Sequence, residues 1–430
     1  MEESKSLRFA GDVNINKIQI INSSGFFQNV TAQVITIQYY EDIFSPFISG
    51  SLILKDALDL PNLFPFVGEE YVDLDISTPG IEKDSIKGRY YIYKMTDREV
   101  LGDRSTTYQL HFISVEAIID LNKKISKAIT GNAAEVVKKI VADKVDGLQS
   151  NKQCFVEPTT KAVKFIPNFW SPVKCIQNIT EQAVNQNQSP SYVFFENRFG
   201  FYFLSLESLY DNNVYQQFKY DKYTRDNTGS GANHGDAKNP TEDYKRITQV
   251  TIPKAFDYMD RIMNGAFATK AISYDLTYKK YQVKNYNMFD NFSKKKHLNP
   301  NAISSSKSIF RTASKIVNYP RATETFTGFG DTSTFKTFQD RLSLFKQLEA
   351  MKLEIEVPGR TDYTVGQKVN VEFSKMEPVT KKDSNEDTVD KLYSGNYIVA
   401  AVNHYINLDM HTCYMELVKD SIQKNLENGK

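Results

Sequence analysis

The sequence reads VGEEYVDL at residues 67–74 and VGQKVNVE at residues 365–372. The first stretch is followed by GRYYIYKM at 88–95 and TTYQLHF at 106–112, and the second by GNYIVAAV at 395–402 and TCYMEL at 412–417. Short runs of alternating apolar and polar residues separated by turn residues predict β-strands. We therefore predict that one β module occurs twice in the chain, with its copies about 300 residues apart.

Three residues mark each copy of the module: Gly68, Gly88 and Tyr108 in the first, and Gly366, Gly395 and Tyr414 in the second. The marker glycines are 20 residues apart in the first copy and 29 in the second. The additional residues fall in a charged run at 375–391, where a solvated hairpin tip is favoured over a binding arm. We expect the copies to superpose, with this hairpin as their one clear difference. A repeated module favours assembly over catalysis.

Bulk composition narrows the possible functions. A chain of 430 residues exceeds what one hydrophobic core serves, which predicts two to four domains. With 53 Lys and Arg against 52 Asp and Glu, the chain lacks the overall field that would attract nucleic acid or an anionic membrane. No leader-like or membrane-spanning apolar run is found, so we expect a soluble protein without stable membrane association. The 13% of aromatic residues favours β structure.

After the first module, the spacing of apolar residues becomes typical of α-helices. Apolar residues recur at helical spacing over 133–141, preceded by Asn132 as an N-cap, and a second helix is predicted to begin with Ser171 as its cap. The runs 192–196 and 201–204 flank a turn with Gly200 at a predicted positive φ, which indicates a β-hairpin. Residues 113–210 are therefore expected to form an α+β insert.

Signatures of catalysis, cofactor binding and metal binding are missing. Three of the histidines, His111, His404 and His411, lie within or next to the repeated strands and have no partner at the spacing of a helical metal pair. The cysteines at 154, 175 and 413 form no C-x-x-C motif, and core packing is their expected role. No nucleotide-binding glycine motif or nucleophile elbow is present. We predict no catalytic residue, no cofactor and no metal site.

Two weaker patterns allow an alternative interpretation. The pairs Asp73/Asp75 and Glu354/Glu356 each lie on one face of a predicted strand, which would suit glycoside chemistry or metal binding but is more typical of a solvated sheet face. Basic and aromatic residues interleave at 279–286, as on a surface for single-stranded nucleic acid, although an ordinary exposed β surface is favoured.

The order and spacing of several short motifs resemble the baseplate central hub protein of contractile-tailed bacteriophages, which is related to the spike-associated hubs of other contractile injection systems. The motifs, which span most of the chain, are FSP at 44–46, GSL at 50–52, NFWSP at 168–172, FENRFGFYF at 195–203, NGAF at 264–267, YD at 274–275, VPG at 357–359, VG at 365–366 and GNY at 395–397.

This resemblance implies a mainly β fold with α+β insertions, in which one chain carries two tail-tube-like β-barrel domains. The implied division is 1–112 as the first barrel domain, 113–210 as the α+β insert, 211–247 as a flexible connection, 248–289 with 340–420 as the second barrel domain, 290–339 as a polar insertion, and 421–430 as a C-terminal tail.

The resemblance also implies a structural virion protein. Three chains would form a homotrimeric, pseudo-sixfold ring between the tail tube or tube-initiator proteins above and the threefold central spike below. Tape-measure protein and DNA would pass transiently through its channel, and assembly would take place in the host cytoplasm. The alternatives are a cell-wall hydrolase in the insert, with Glu181 and Glu196 as candidate carboxylates, and a host-glycan-binding module.

Overall fold

The structure is a computed structural model, and it describes residues 7–63, 66–101, 105–220, 240–304, 311–319, 334–375 and 389–426. The strands of the N-terminal part are β1 (Asn14–Ile21), β2 (Phe27–Asn29), β3 (Val34–Asp42), β4 (Ser49–Asp56), β5 (Tyr71–Ser77), β6 (Ile86–Leu101) and β7 (Ser105–Ser114). The middle part contains β8 (Ile129–Asn132), β9 (Gln153–Val156), β10 (Ala162–Phe165), β11 (Tyr192–Asn197), β12 (Gly200–Ser205), β13 (Val214–Tyr220), β14 (Gln249–Ala255), β15 (Ala268–Asp275) and β16 (Lys280–Asn287).

The C-terminal part contains β17 (Asn301–Ala302), β18 (Lys315–Asn318), β19 (Met351–Pro358), β20 (Lys368–Phe373), β21 (Gly395–Asn407), β22 (His411–Lys419) and β23 (Ser421–Ile422). The α-helices are α1 (Leu60–Leu63), α2 (Val115–Asn122), α3 (Ala133–Ala142), α4 (Pro172–Gln182), α5 (Leu206–Asp211), α6 (Pro240–Asp243), α7 (Tyr258–Met263), α8 (Met288–Asn291) and α9 (Phe338–Leu348). The prediction of a mainly β fold with α+β insertions is confirmed.

One sheet runs through both ends of the chain. In the described residues its strand order is β14-β19-β22-β21-β3-β4-β7-β6-β5-β1-β2, and β20 and β13 branch from β21. Buried and less buried residues alternate along β7 from Tyr108 onward, because successive side chains of a strand point to opposite faces. Tyr108, Leu110 and Phe112 therefore lie in the core of the first module. The corresponding core of the second module contains Val369 and Leu417.

The insert has its own core, which α3 and α4 cover. Asn132 caps α3 by accepting a hydrogen bond from the backbone N–H of Ala134 at 3.0 Å, and Ser171 caps α4 by accepting one from Lys174 at 3.3 Å. Both predicted helix starts are therefore confirmed. The predicted hairpin is also confirmed, since β11 pairs with β12 and Gly200 has a φ of +142°.

The structure differs from the predicted division in three places. Part of the predicted flexible connection at 211–247 is the strand β13, because Phe218 is fully buried in the second module's core; residues 221–239 lie outside the described residues. Strands β15 and β16, predicted within the second barrel, form a separate sheet with β18. Strand β17 of the predicted polar insertion pairs with β23 of the predicted tail.

Candidate functional site

The two modules are joined by a direct strand pair, which we call the seam. The second half of β21, from Ala401 to Asn407, pairs antiparallel with β3, from Asp42 back to Thr36. The first half of β21 pairs instead with β20. Strand β21 therefore changes partner along its length, from its own module to the other one.

A buried carboxylate holds the seam together. Glu41 on β3 accepts hydrogen bonds from the backbone N–H of Val365 at 3.2 Å and of Arg198 at 2.9 Å, and also from the hydroxyl of Thr364. Burial raises the pKa of Glu41, and these hydrogen bonds oppose the shift. Because the three donors come from the second module and the insert, Glu41 connects all three parts of the chain.

A second buried carboxylate fixes the insert to the first module. Glu196 on β11 accepts hydrogen bonds from the Ser114 hydroxyl at 2.6 Å and the Ile48 backbone N–H at 3.2 Å, and it forms an ion pair with Lys152 at 2.6 Å. Burial raises the pKa of Glu196 to about 7, although Lys152 acts in the opposite direction. Glu181, the other carboxylate of the hydrolase alternative, is exposed on α4, whereas Glu196 is buried and already bound by Ser114, Ile48 and Lys152.

The four marker glycines lie at matching places in the two modules. In chain order, the repeated strands are β5, β6 and β7 in the first module and β20, β21 and β22 in the second. Gly68 and Gly366 both have positive φ, +88° and +81°, and each precedes the first of these strands. Gly88 pairs with Leu74, and Gly395 pairs with Val371, where the first and second repeated strands meet.

The marker tyrosines are not equivalent, which corrects the predicted alignment. Along the ladders between the second and third repeated strands, the counterpart of Tyr108 is Cys413, and Tyr414 is one residue out of phase. Tyr108 and Cys413 are both buried, whereas Tyr414 is 44% exposed. The side-chain period of a strand is two, so an offset of one residue moves a side chain to the opposite face.

A β-bulge occurs at the same place in both modules. The ladder of the first module shifts register between Ile92 and Lys94, and that of the second between Val399 and Ala401. Each bulge begins four residues after the marker glycine of its strand. In the second module the carbonyl of the bulged residue Ala400 accepts a hydrogen bond from the backbone N–H of Ile43 at 2.9 Å, directly beside the seam.

Two of the strand edges that have no partner in the described part of the chain belong to β6 and β14. Strand β6 pairs with β5 up to Tyr91, and the backbone N–H of Ile92 donates to the carbonyl of Glu70 at 2.8 Å. Beyond Ile92 the edge of β6 on that side is open, while β7 pairs with the other edge. Strand β14 ends the large sheet and pairs only with β19. These open edges contain exposed apolar residues such as Tyr93, Val100 and Ile252.

The carboxylate pairs singled out in the sequence both lie on outer sheet faces. Asp73 forms an ion pair with Arg89 and Asp75 with Lys87, each between directly paired residues of β5 and β6. Glu354 and Glu356 line an open groove of about 490 Å³ over β3, β19, β21 and β22.

Three buried side chains, which the sequence did not place together, meet next to the seam. His404 on β21 lies 3.0 Å from His411 on β22, measured from Nδ1 to Nε2, and the sulfur of Cys413 lies 3.3 Å and 3.4 Å from these two nitrogens. We call these residues the His-Cys cluster. The sequence signal for it was the His-x-Cys spacing at 411–413, because alternate residues of a strand share a face.

No protein-family model matches the chain. The probable baseplate hub protein gp334 of Vibrio phage KVP40 is 22% identical over 436 residues, which cover 98% of this chain and 97% of that protein. Over nearly its whole length the chain is therefore similar to a phage baseplate hub protein. This similarity supports the prediction of a structural component of the phage tail, located in the virion, and not an enzyme.

Two solved structures share the fold of this chain. A tail protein from Neisseria meningitidis MC58 has a TM-score of 0.55 at 10% identity, with 94% of this chain and 96% of that one covered. The 43 kDa tail protein of prophage MuSo2 from Shewanella oneidensis has a TM-score of 0.53 at 8% identity, with 95% and 99% covered. Within the described residues, none of the helices has the length and apolar character needed to cross a membrane.

Proposed function

We propose that the chain is a phage baseplate hub protein and that three copies of it form a closed, pseudo-sixfold ring, which joins the sixfold tail tube to the threefold central spike and leaves a channel for genome passage. The observation that carries the proposal is the change of partner along β21. The two modules are the repeating units of the ring, and the seam within one chain is the template for the contacts between chains.

The open edges are the counterparts of the two seam strands. Strand β6 corresponds to β21 in its marker glycine and its bulge, and it has an open edge where β21 pairs with β3. Strand β14 corresponds to β3. Strand β14 pairs with β19, which pairs with β22, and in the same way β3 pairs with β4, which pairs with β7. Pairing of β6 in one chain with β14 in the next would therefore repeat the seam between chains.

This pairing is head-to-tail, because each chain offers two different edges. Head-to-tail contacts close into a ring when the rotation between subunits divides a full turn. Two modules per chain and three chains give six similar units. Open edges otherwise promote uncontrolled pairing, and closure of the ring removes this hazard. The ring would assemble in the host cytoplasm, with spike and tube proteins as partners and with tape-measure protein and DNA passing through transiently.

A disulfide between chains tests the proposed pairing. Counting along the ladders makes Thr96 the counterpart of Asn403 and Lys254 the counterpart of Tyr40, and Asn403 and Tyr40 are direct partners at the seam. Directly paired strand residues lie within the Cα distance that a disulfide spans. The double variant Thr96→Cys/Lys254→Cys, in a Cys154→Ser background, should give covalent dimers and trimers on a non-reducing gel after mild oxidation.

The matched control is Thr107→Cys/Lys254→Cys, because Thr107 lies on β7 and is already paired with Lys55 of β4. It should stay monomeric on the same gel. Size-exclusion chromatography with light scattering should give the mass of three chains for the unmodified protein, alone or with its spike partner. A strict monomer under both conditions, together with no crosslink, would overturn the ring.

A further inference from the structure

The His-Cys cluster has the donor set of a transition-metal site. Two imidazole nitrogens and one sulfur converge on a single point, and all three side chains are fully buried. Imidazole and thiolate together are ligands that Zn²⁺ prefers. We propose that His404, His411 and Cys413 bind a zinc ion that stabilises the second module next to the seam.

The distances fit this assignment. Tetrahedral zinc with ordinary bond lengths separates two nitrogen ligands by about 3.3 Å and a nitrogen from a sulfur by about 3.6 Å. The cluster has 3.0 Å between the nitrogens and 3.3 Å and 3.4 Å to the sulfur. Each separation needs to grow by only a few tenths of an ångström to admit the ion.

The backbone fixes the cluster without help from a metal. His404 pairs directly with Cys413 across β21 and β22, and His411 precedes Cys413 by two residues on the same face. The backbone N–H of His411 also donates to the carbonyl of Gly11, and the His411 carbonyl accepts from Gly359, both at 2.8 Å. A side chain at Gly359 would collide with the His411 ring, since a Cβ atom there would lie 2.3 Å from it.

Metal binding would change the protonation of the cluster. Zinc binds imidazole in its neutral form and cysteine as the thiolate. Zinc binding would therefore release one proton from the Cys413 thiol to solvent as the zinc–sulfur bond forms. The resulting thiolate neutralises one of the two positive charges of the ion.

Three protein ligands leave one position of a tetrahedral ion open. The hydroxyl of Tyr363 is buried and has no hydrogen-bond partner among the described residues, and the charge of Cys413 acts on its pKa. Either the Tyr363 hydroxyl or a water molecule would fill the fourth position, and a Tyr363→Phe variant distinguishes between the two.

Among its described residues, the first module has no matching site. The ladders make Thr106 and Tyr108 the counterparts of His411 and Cys413, and neither is a preferred zinc ligand. We therefore expect one zinc ion per chain rather than two.

Metal analysis of the full-length protein tests the proposal. The protein is purified without a metal-affinity tag, refolded with equimolar zinc, desalted, and measured by inductively coupled plasma mass spectrometry. We expect one zinc ion per chain, and at least about tenfold less in Cys413→Ser. Cys175→Ser is the matched control, because Cys175 is also a buried free cysteine but belongs to the insert core, and it should retain the metal.

A second measurement, cobalt binding by the unmodified protein, tests the site even if the Cys413→Ser variant fails to fold. Cobalt in place of zinc should give the unmodified protein a thiolate-to-cobalt charge-transfer band and the visible bands of four-coordinate cobalt. If cobalt added to the metal-free protein gave none of these bands, the site would be overturned, and so it would be by a folded Cys413→Ser variant that binds as much zinc as the unmodified chain. Copper bound instead of zinc would overturn the assignment of the ion. In Tyr363→Phe, altered cobalt bands assign the fourth position to Tyr363, and unchanged bands assign it to water.

Discussion

Glu41 accepts a hydrogen bond from the backbone N–H of Val365, a residue 324 positions further along the chain, at a distance of 3.2 Å. This contact lies at the seam, where the two modules share one sheet. It makes the seam a specific buried junction and not merely an extension of a strand edge.

Replacement of Glu41 by Ala should destabilise the protein strongly, because the backbone N–H groups of Val365 and Arg198 and the Thr364 hydroxyl would lose their shared acceptor in a buried place. We expect a loss of about 3 kcal/mol or more in the free energy of unfolding, measured by chemical denaturation. Glu41→Gln keeps an acceptor oxygen and should cost about 1 kcal/mol. Equal losses in the two variants would contradict this role.

The corrected phase of the repeat predicts unequal roles for the two marker tyrosines. Tyr108 is buried and donates a hydrogen bond to Asp56 at 3.2 Å, so Tyr108→Ala should cost about 3–5 kcal/mol. Tyr414 lies on the outer face, and Tyr414→Ala should cost about 1 kcal/mol or less. Denaturation curves of both variants provide the comparison, and similar losses would restore the original alignment.

Strand β13 should contribute to the stability of the second module. Phe218→Ala removes a fully buried ring from its core and should cost about 3–5 kcal/mol. Gln217→Ala on the same strand is the control, because Gln217 is exposed and its loss should cost about 0.5 kcal/mol. If Phe218→Ala behaved like the control, residues 214–220 would be the flexible connection that the sequence suggested.

The ion pair between His297 and Asp420 predicts a pH dependence. Burial lowers the pKa of His297, but the hydrogen bond and charge of Asp420, 2.6 Å away, raise it more, and the net pKa is above the usual value. At pH values between the usual pKa of histidine and the raised pKa of His297 in the folded state, the folded protein binds more protons than the unfolded protein. The resulting stability is complete below about pH 6.5 and is lost as the pH rises through the folded pKa.

Thermal unfolding of the unmodified protein and of His297→Gln checks this slope between about pH 5.5 and 9. The stability advantage of the unmodified protein should shrink as the pH rises. His111→Gln is the control of opposite sign, since burial and then Lys94 lower the pKa of His111. An advantage of His297 that grew with pH would refute the assignment.

Much of the local structure could be predicted from the sequence. The caps at Asn132 and Ser171 and the turn at Gly200 depend on neighbouring residues, and the structure confirms each of them. The site was predicted less well. In the strand ladders Gly88 and Gly395 take corresponding places, whereas Tyr108 and Tyr414 lie one residue out of phase, because the loop lengths between strands differ and spacing alone does not fix the register.

Local sequence patterns are enough to place the strands and helices, because the alternation of side chains and the capping residues act within a few positions of the chain. Long-range contacts in the folded chain set which edges pair, that β21 leaves β20 for β3, and that His404, His411 and Cys413 meet at one point. These outcomes depend on contacts between distant segments, such as Glu41 with Val365, whose partners no local pattern specifies.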